Sequence, residues 1–455
     1  METKGIQHLH VIWIPAQIMV MYSPGKTTSY PDEPVVNGLR YHFLGGGSEV
    51  GNVGIIIEGY KGDRLLIDYG LAPTDPPRYP DEAPKVTDAI ITHSHIDHIG
   101  MVPWLSGAHR SNLHATPITV SLSELMWNDC HKVSRIEGYP LPWDKRDMDN
   151  ALDSWKIHDF GEWVKHGNWQ WRLHSAGHIP GAAMVEIDTD DLKVLISGDF
   201  DTRDSPLVSG AEAVDVDVLF VEGTYGGRNH PDKVQETERF LDKVREVVDR
   251  GGTALIPSFA NGRGQDVLMT LHAAMPNLNV HYDGMGKTIT KHHLENPDYL
   301  RDPKALEAAF KWAKRVSSKS DKKKALESDV IVTTSGMLNG GPSIWYLNRL
   351  RHESNNAILF MGYQASGSGG RQFQEEGRLP IFGNLTPVDL EWDTFDFSTH
   401  AGHDEIVKFA KQCGAKDVVV YHTDPDNARP PLVKALEENG HHVHQPKNGE
   451  SHILQ

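Results

Sequence analysis

From Tyr41 onward the chain repeats one pattern, a short apolar run closed by a polar residue or a glycine turn. YHFL, the turn GGGSEVGN, VGIIIEG and RLLID follow in succession and end at Asp68, which predicts strand, glycine turn, strand and strand. DAIIT, starting at Asp88, runs into a histidine-rich loop, and AMVEID and KVLISGDF again place polar residues at the end of an apolar strand. Function is therefore expected at strand ends. At Val234 the period changes: VQETERFLDKVREVVD carries apolar residues at helical spacing, with Asp232 as a cap and Gly251 and Gly252 as the stop. Beyond it strand and helix alternate, TALIPSF leading into GQDVLMTLHAAM, NVHYD into a Gly-Lys turn, and DVIVTTS and AILFMG into glycine-rich loops, which predicts an α/β architecture. No internal repeat is evident. Upstream, the apolar run VIWIPAQIMVM within Met1 to Met21 is broken by Pro15 and Gln17 and lacks a strongly basic flank, so it reads poorly as a signal peptide. Residues 1–40 are read as a leader outside the catalytic core, or as a start codon placed upstream of Met19 or Met21.

A length of 455 residues calls for two packed domains or one domain with a large insertion. The 38% hydrophobic and 24% charged fractions are those of a globular chain, and no segment is long enough to span a bilayer. The formal charge of −17 argues against a surface coated in cations for nonspecific nucleic-acid binding. That excess is uneven: residues 227–394 hold 22 basic and 21 acidic residues, the remainder 23 and 41. Within the near-neutral segment, Lys311 to Lys324 has seven basic residues and one acidic one, read as a solvated helix face with an RNA-tracking patch as the alternative. Cys130 and Cys413 are the only cysteines, which leaves no disulfide framework and suits a reducing cytoplasm. A metal site would have to draw on the 26 histidines and on carboxylates.

They cluster. THSHIDH puts His93, His95, Asp97 and His98 directly after an apolar strand. In extended chain i and i+2 share a face, so His93 and His95 can grip one metal while the following turn aims Asp97 and His98 at another. Asp68, His178 and Asp199 would each, taken singly, more often be a cap, a buried histidine or a turn carboxylate. All three stand at strand ends or in glycine-containing loops beside them.

Asp68, the HxHxDH run, His178 and Asp199, in that order, resemble the metallo-β-lactamase fold, which implies an αββα sandwich with a dinuclear metal site at one edge. VEGTYGGRNHP with Glu222, FDFSTHAG with His400, VVVYHTDP with His422, and PSFANGRGQ at 257–265 resemble the motifs and inserted α/β domain of the β-CASP branch, which processes nucleic acids. A histidine at the position of His422 is typical of RNA-directed members. The compact chain resembles archaeal relatives of the catalytic subunit of the cleavage and polyadenylation specificity factor, with RNase J as the next neighbour. The resemblance implies a first hydrolase part over 41–226, a β-CASP insertion over 227–394 and a second hydrolase part over 395–455. It implies one Zn²⁺ on His93, His95 and His178 and a second on Asp97, His98 and His422, with Asp199 between them and Mn²⁺ as an alternative. It further implies that Asp68 orients the shared hydroxide and that His400, supported by Glu222, donates a proton. The activity implied is a ribonuclease leaving 5′-phosphate and 3′-hydroxyl ends, endonuclease or 5′-to-3′ exonuclease, acting on single-stranded RNA in the cytoplasm, with no membrane and no ATP, and with a homodimer allowed.

Departures and rivals remain. Gly402 stands where relatives often have an acid, which makes His403 a weaker competitor for the acid role, and Thr423 and Asp424 replace a common Gly-Glu after His422. GMGKT at 284–288 has His281 where a phosphate loop needs glycine. Ser335, Gly336, Arg371 and Ser398 are read as RNA contacts, with ordinary turn chemistry as the alternative. Two other functions stay open: a hydrolase of small esters or thioesters, and a non-catalytic RNA-binding subunit of a processing complex.

Overall fold

In a computed structural model, which describes residues 30–455 apart from 32, 61, 75, 190, 366 and 382, the strand pattern becomes three main sheets; the Met1–Met21 run lies outside the described residues. β1 (Leu39–Gly45), β2 (Gly54–Gly59), β3 (Arg64–Ile67), β4 (Asp88–Ile90), β5 (Asn112–Ala115) and β6 (Trp155–Ile157) build the first sheet, antiparallel from β1 to β3 and parallel from β3 onward. β7 (Val164–His166), β8 (Trp169–Ser175), β9 (Ala183–Asp188) and β10 (Lys193–Ile196) run antiparallel in the second, where β11 (Val218–Glu222) then lies parallel to β10. The third sheet is parallel throughout: β12 (Ala254–Pro257), β13 (Val280–Asp283), β14 (Lys314–Arg315), β15 (Val330–Thr333) and β16 (Ala357–Phe360), completed after the hairpin of β17 (Arg378–Ile381) and β18 (Asn384–Pro387) by β19 (Glu391–Thr394). The chain then returns to the first two sheets. β20 (Asp417–Tyr421) pairs with β11, β21 (His442–His444) with β20, and β22 (Ser451–Leu454) with β1.

Packing follows from the two-residue period of each strand. Ile55 and Ile57 of β2 point between the first two sheets, with Val185, Val194, Phe220 and Val419 facing them, while Ile56 points outward onto Ile99, Val102 and Trp127 of the covering helices. On the far side Leu195, Leu219, Val418 and Val420 meet Ile406, Phe409, Leu432 and Leu436. The result is four layers, helix, sheet, sheet, helix. Because both faces of these strands are buried, their sequences read as continuous apolar runs rather than as alternation. The third sheet is likewise covered on both faces.

One sequence expectation needs correcting. The segment read as a leader reaches into the fold: β1 begins at Leu39, before Tyr41, and Arg40 pairs with the buried Glu58 at 3.0 Å, to which the Tyr30 hydroxyl also donates at 2.7 Å. A buried carboxylate needs such partners. No helix among the described residues is long and apolar enough to cross a membrane.

Candidate metal centre

Parallel neighbours end at the same sheet edge, and this gathers the polar strand termini. Asp68 and His93 follow β3 and β4, Asp199 follows β10, Glu222 ends β11, and His422 follows β20, which lies in register beside β11 with Glu222 opposite Tyr421. Asp68 and His422 are both in the left-handed region, with φ of 57° and 47°. Such conformations cost non-glycine residues roughly 1–3 kcal/mol and persist where the surroundings dictate them. Here the Asp68 amide donates to Ile90 O at 2.9 Å and the His422 amide to Gly46 O at 2.7 Å.

Two groups of ligand-type atoms form: His93, His95, His178 and Asp199, and Asp97, His98, Asp199 and His422, with Asp199 shared. In the first, His95 Nδ1 stands 3.1 Å from both His93 Nε2 and His178 Nε2. Ligands about 2.0–2.1 Å from a tetrahedral Zn²⁺ would be about 3.3–3.4 Å apart, so the trio is spaced for one ion. In the second, Asp199 Oδ2 lies 3.3 Å from His98 Nε2, and Asp97 Oδ2 lies 3.5 Å from His422 Nε2.

The outer ring nitrogens are already engaged. His93 Nδ1 meets Thr92 Oγ1 at 3.1 Å, His98 Nδ1 donates to Asp68 Oδ2 at 2.7 Å, His178 Nδ1 donates to Thr399 O at 2.8 Å, and His422 Nδ1 meets Thr224 Oγ1 at 3.1 Å. That leaves Nε2 of all four facing inward, the arrangement by which neighbours set the tautomer of a ligating imidazole. Among the described residues, His98 Nε2, His422 Nε2 and Asp199 Oδ1 are buried with no hydrogen-bond partner. Each such atom costs about 1–3 kcal/mol unless something fills the space between them.

Electrostatics point the same way. Burial holds His93 and His178 well below the usual imidazole range and lowers His95, so these three are neutral and available as ligands. Burial also opposes charge on His98 and His422, yet Asp199, with Asp68 for His98 and Asp97 for His422, pushes both up. Asp97 is held at about 2 despite burial by His422 and His98, and Asp199 well below the usual range by His98 and His422. Without a metal the pocket draws protons onto two of its own ligands. The donor set therefore demands positive charge, and it fits divalent cations. By contrast, His442 Nδ1 and His444 Nε2 on β21 both bond Asp417 Oδ1 at 2.7 Å and leave no orphaned atom.

Beside this pocket His400 Nδ1 donates to Glu222 Oε1 at 2.7 Å, and the His400 ring centroid is 4.6 Å from that of His178. Glu222 is fully buried, and its other oxygen accepts from Thr224 N at 2.9 Å. Burial would lower His400, but Glu222 and Asp199 raise it to about 9. Sequence reasoning missed what holds this loop: Arg203 Nη2 donates to Ser398 O and His400 O at 3.1 and 3.2 Å while gripping Asp201, and His230 Nε2 donates to His400 O at 2.9 Å. His403 is turned elsewhere, accepting from Gly227 N at 3.0 Å.

Asp68, expected to orient the shared hydroxide, is held by protein groups on both of its oxygens. Its oxygens accept from Thr92 N and Thr92 Oγ1 at 2.7 and 2.8 Å and from His98 Nδ1, so what it visibly orients is an imidazole. Asn261 also escaped notice as an individual residue. From the loop after β12, it donates to Ser94 Oγ at 3.0 Å, between His93 and His95, and accepts from the buried His293 Nε2 at 3.0 Å. The third sheet is thereby tied to the ligand loop.

Of the residues read as RNA contacts, Ser398 is beside His400, whose amide donates to Ser398 Oγ at 3.2 Å. Ser335 N donates to Ser343 Oγ at 3.1 Å, a β-carbon at Gly336 would lie 3.0 Å from Phe259 N, and Arg371 pairs with Glu375 at 2.6 Å within its own helix.

The chain is similar to known families along most of its length. The family model described as Metallo-beta-lactamase superfamily matches residues 46–250, Beta-Casp domain matches 265–373, and Zn-dependent metallo-hydrolase RNA specificity domain matches 386–446. The chain is 34% identical over 417 residues to RNase aCSPSF2 of Saccharolobus solfataricus, covering 90% of this chain and 84% of that one. It is 32% identical over 424 residues to Probable RNase MJ4 of Methanocaldococcus jannaschii, covering 90% and 98%. Transcription termination factor FttA of the same organism is 30% identical over 414 residues, covering 82% of this chain and 65% of its own. A protein of unknown function from Enterococcus faecalis shares the fold, with a TM-score of 0.59 at 14% identity over 92% of this chain and 100% of that one.

Proposed function

The chain belongs to the β-CASP group of the metallo-β-lactamase superfamily, and from that premise we propose that it is a metal-dependent ribonuclease. The observation that carries the proposal is the pair of ligand groups sharing Asp199 around three orphaned buried atoms, with the His400–Glu222 pair alongside. RNA is the substrate favoured by relatives that are named RNases and by the match to an RNA specificity domain.

His93, His95, His178 and Asp199 would hold one Zn²⁺, and Asp97, His98, His422 and Asp199 the second, with Mn²⁺ as a substitute. When bound, such a pair supplies Lewis-acid charge for a phosphodiester and a hydroxide nucleophile near neutral pH. The chain's own residues do the rest. Asp68 keeps the His98 proton on Nδ1 and so keeps Nε2 open. Glu222 holds His400 Nδ1–H, which leaves Nε2 to deliver a proton to the departing 3′ oxygen. The products are a 5′-phosphate and a 3′-hydroxyl. Residues 39–226 and 395–455 would form the hydrolase and 227–394 the wall that makes its cleft, with single-stranded RNA entering between them, in the cytoplasm. The buried, unpaired cysteines suit that compartment.

Metal analysis together with cleavage of 5′-labelled RNA tests this. Two metals per chain and cleavage abolished by chelation are expected; fewer than two metals and no cleavage would favour a scaffold subunit instead. A circular RNA separates the modes, since its degradation requires an endonuclease, whereas dependence on a 5′-monophosphate indicates an exonuclease.

A further inference from the structure

A ladder of rings and one guanidinium leads from His400 to the inserted domain. Tyr225 has its ring centroid 6.1 Å from that of His400. Arg228 lies over Tyr225 at 5.0 Å and over Tyr363, in the loop after β16, at 5.3 Å. Tyr363 is 48% exposed, and Arg228 is exposed too. Among the described residues no ion pair engages the Arg228 guanidinium, although the chain carries 62 acidic residues. Arg371, expected from the sequence to contact RNA, is by contrast occupied by Glu375.

A planar cation braced against two rings has lost much of its side-chain freedom before any ligand arrives, yet keeps its in-plane donors free, the condition under which arginine binds phosphate well. An exposed tyrosine face beside it accepts any base by stacking, provided that base is unstacked from its neighbours. We propose that Tyr363 and Arg228 form a substrate-binding step for single-stranded RNA on the rim of the active site, Tyr363 stacking one unpaired base and Arg228 holding an adjacent phosphate. The proposal rests on the ribonuclease reading and adds the residues that select single strands.

The test is single-turnover cleavage of an unstructured RNA by the metal-loaded protein, with metal content as the check on folding. Tyr363→Ala should raise the half-saturating RNA concentration about 5- to 150-fold, the effect of one lost base stack, and leave the rate at saturation unchanged. Tyr363→Phe should restore wild-type behaviour. Arg228→Ala should lower the slope of log affinity against log salt by about 0.7, one single-strand phosphate contact. An abasic oligonucleotide used as a competing inhibitor should bind Tyr363→Ala as it binds wild type and bind Arg228→Ala more weakly. If wild type cleaves RNA and both alanine variants saturate as it does, this step is refuted while the ribonuclease reading stands. Equal loss of RNA and abasic competitor by Tyr363→Ala also refutes the stacking role. Failure of metal-loaded wild type to cleave or bind RNA overturns both.

Discussion

Asp68→Asn separates two accounts of this centre with one atom changed. Asparagine tolerates the left-handed backbone of Asp68 better than most residues, so the φ of 57° need not change. Its amide oxygen must take the Oδ1 place, because Thr92 N donates there at 2.7 Å and would oppose an NH₂ group. The NH₂ then lands at Oδ2, 2.7 Å from His98 Nδ1, where two donors would meet. His98 can relieve this by moving its proton to Nε2, the atom that faces Asp199, and it then ceases to be a ligand. Loss of a partner behind a ligating histidine typically costs 10- to 100-fold in metal affinity, about 1.4–2.8 kcal/mol. His93, His95 and His178 are coupled to this change indirectly, through Thr92 Oγ1, which lies 2.8 Å from Asp68 Oδ2 and 3.1 Å from His93 Nδ1, and they should keep their metal. The assay is metal retained per chain across a chelator titration, alongside single-turnover cleavage. Expected is one metal retained as in wild type, the other lost at 10- to 100-fold lower chelator strength, and activity partly recovered with excess metal. If Asp68→Asn retains both metals at wild-type affinity, the tautomer argument is wrong. An activity loss on that background would return Asp68 to orienting the attacking water, the role expected from sequence.

Three further perturbations probe other supports. A β-carbon at Gly70 would fall 1.7 Å from Asp97 O, so Gly70→Ala must displace the ligand turn; a loss of about 1–3 kcal/mol, seen as a lower melting temperature, and reduced metal content are expected. His400→Ala should lower the single-turnover rate about 10²- to 10⁴-fold with metal content intact, and a wild-type rate would remove His400 from the chemistry. Asn261→Ala strands both Ser94 Oγ and the buried His293, whose burial pushes it down to about 3; thermal melting should show about 1–3 kcal/mol lost, and unchanged melting would deny the strut a structural role.

What was legible in the chain was local. Four ligand-type residues within six positions after an apolar strand need no tertiary information to stand out, and the polar strand ends Asp68 and Asp199 are marked by the runs that precede them. The supports were not legible. Thr92 and His98 lie 24 and 30 residues from Asp68, and Asn261 lies 167 from Ser94, distances at which no periodicity applies. Arg371 could have been judged better, because Glu375 stands four residues on, the spacing at which helix side chains pair. In the run from Lys311 to Lys324, Lys311 pairs with Glu307 at the same spacing and Lys322 with Asp283, while Lys314 donates to the uncharged Asn279.

The charge of −17 ceases to be an objection once it is resolved by place. Of the four acids that line the centre, Glu222 is paired with His400 and Asp68 turns its oxygens to Thr92 and His98, which leaves Asp97 and Asp199 as the carboxylates facing the pocket. Two divalent cations held as proposed would outweigh these two carboxylates and a hydroxide, so the ions with their direct ligands would carry net positive charge although the protein does not. Arg228, unpaired among the described residues, adds one more positive group at the rim. Attraction of RNA then depends on a few charges within about 10 Å of the substrate, the range over which salt leaves them unscreened. Two consequences separate this from a basic-surface mechanism. The salt dependence of RNA affinity should correspond to only a few phosphates, and removal of the metals should weaken binding as well as abolish cleavage, because the same ions that drive the chemistry supply the field that brings the strand in.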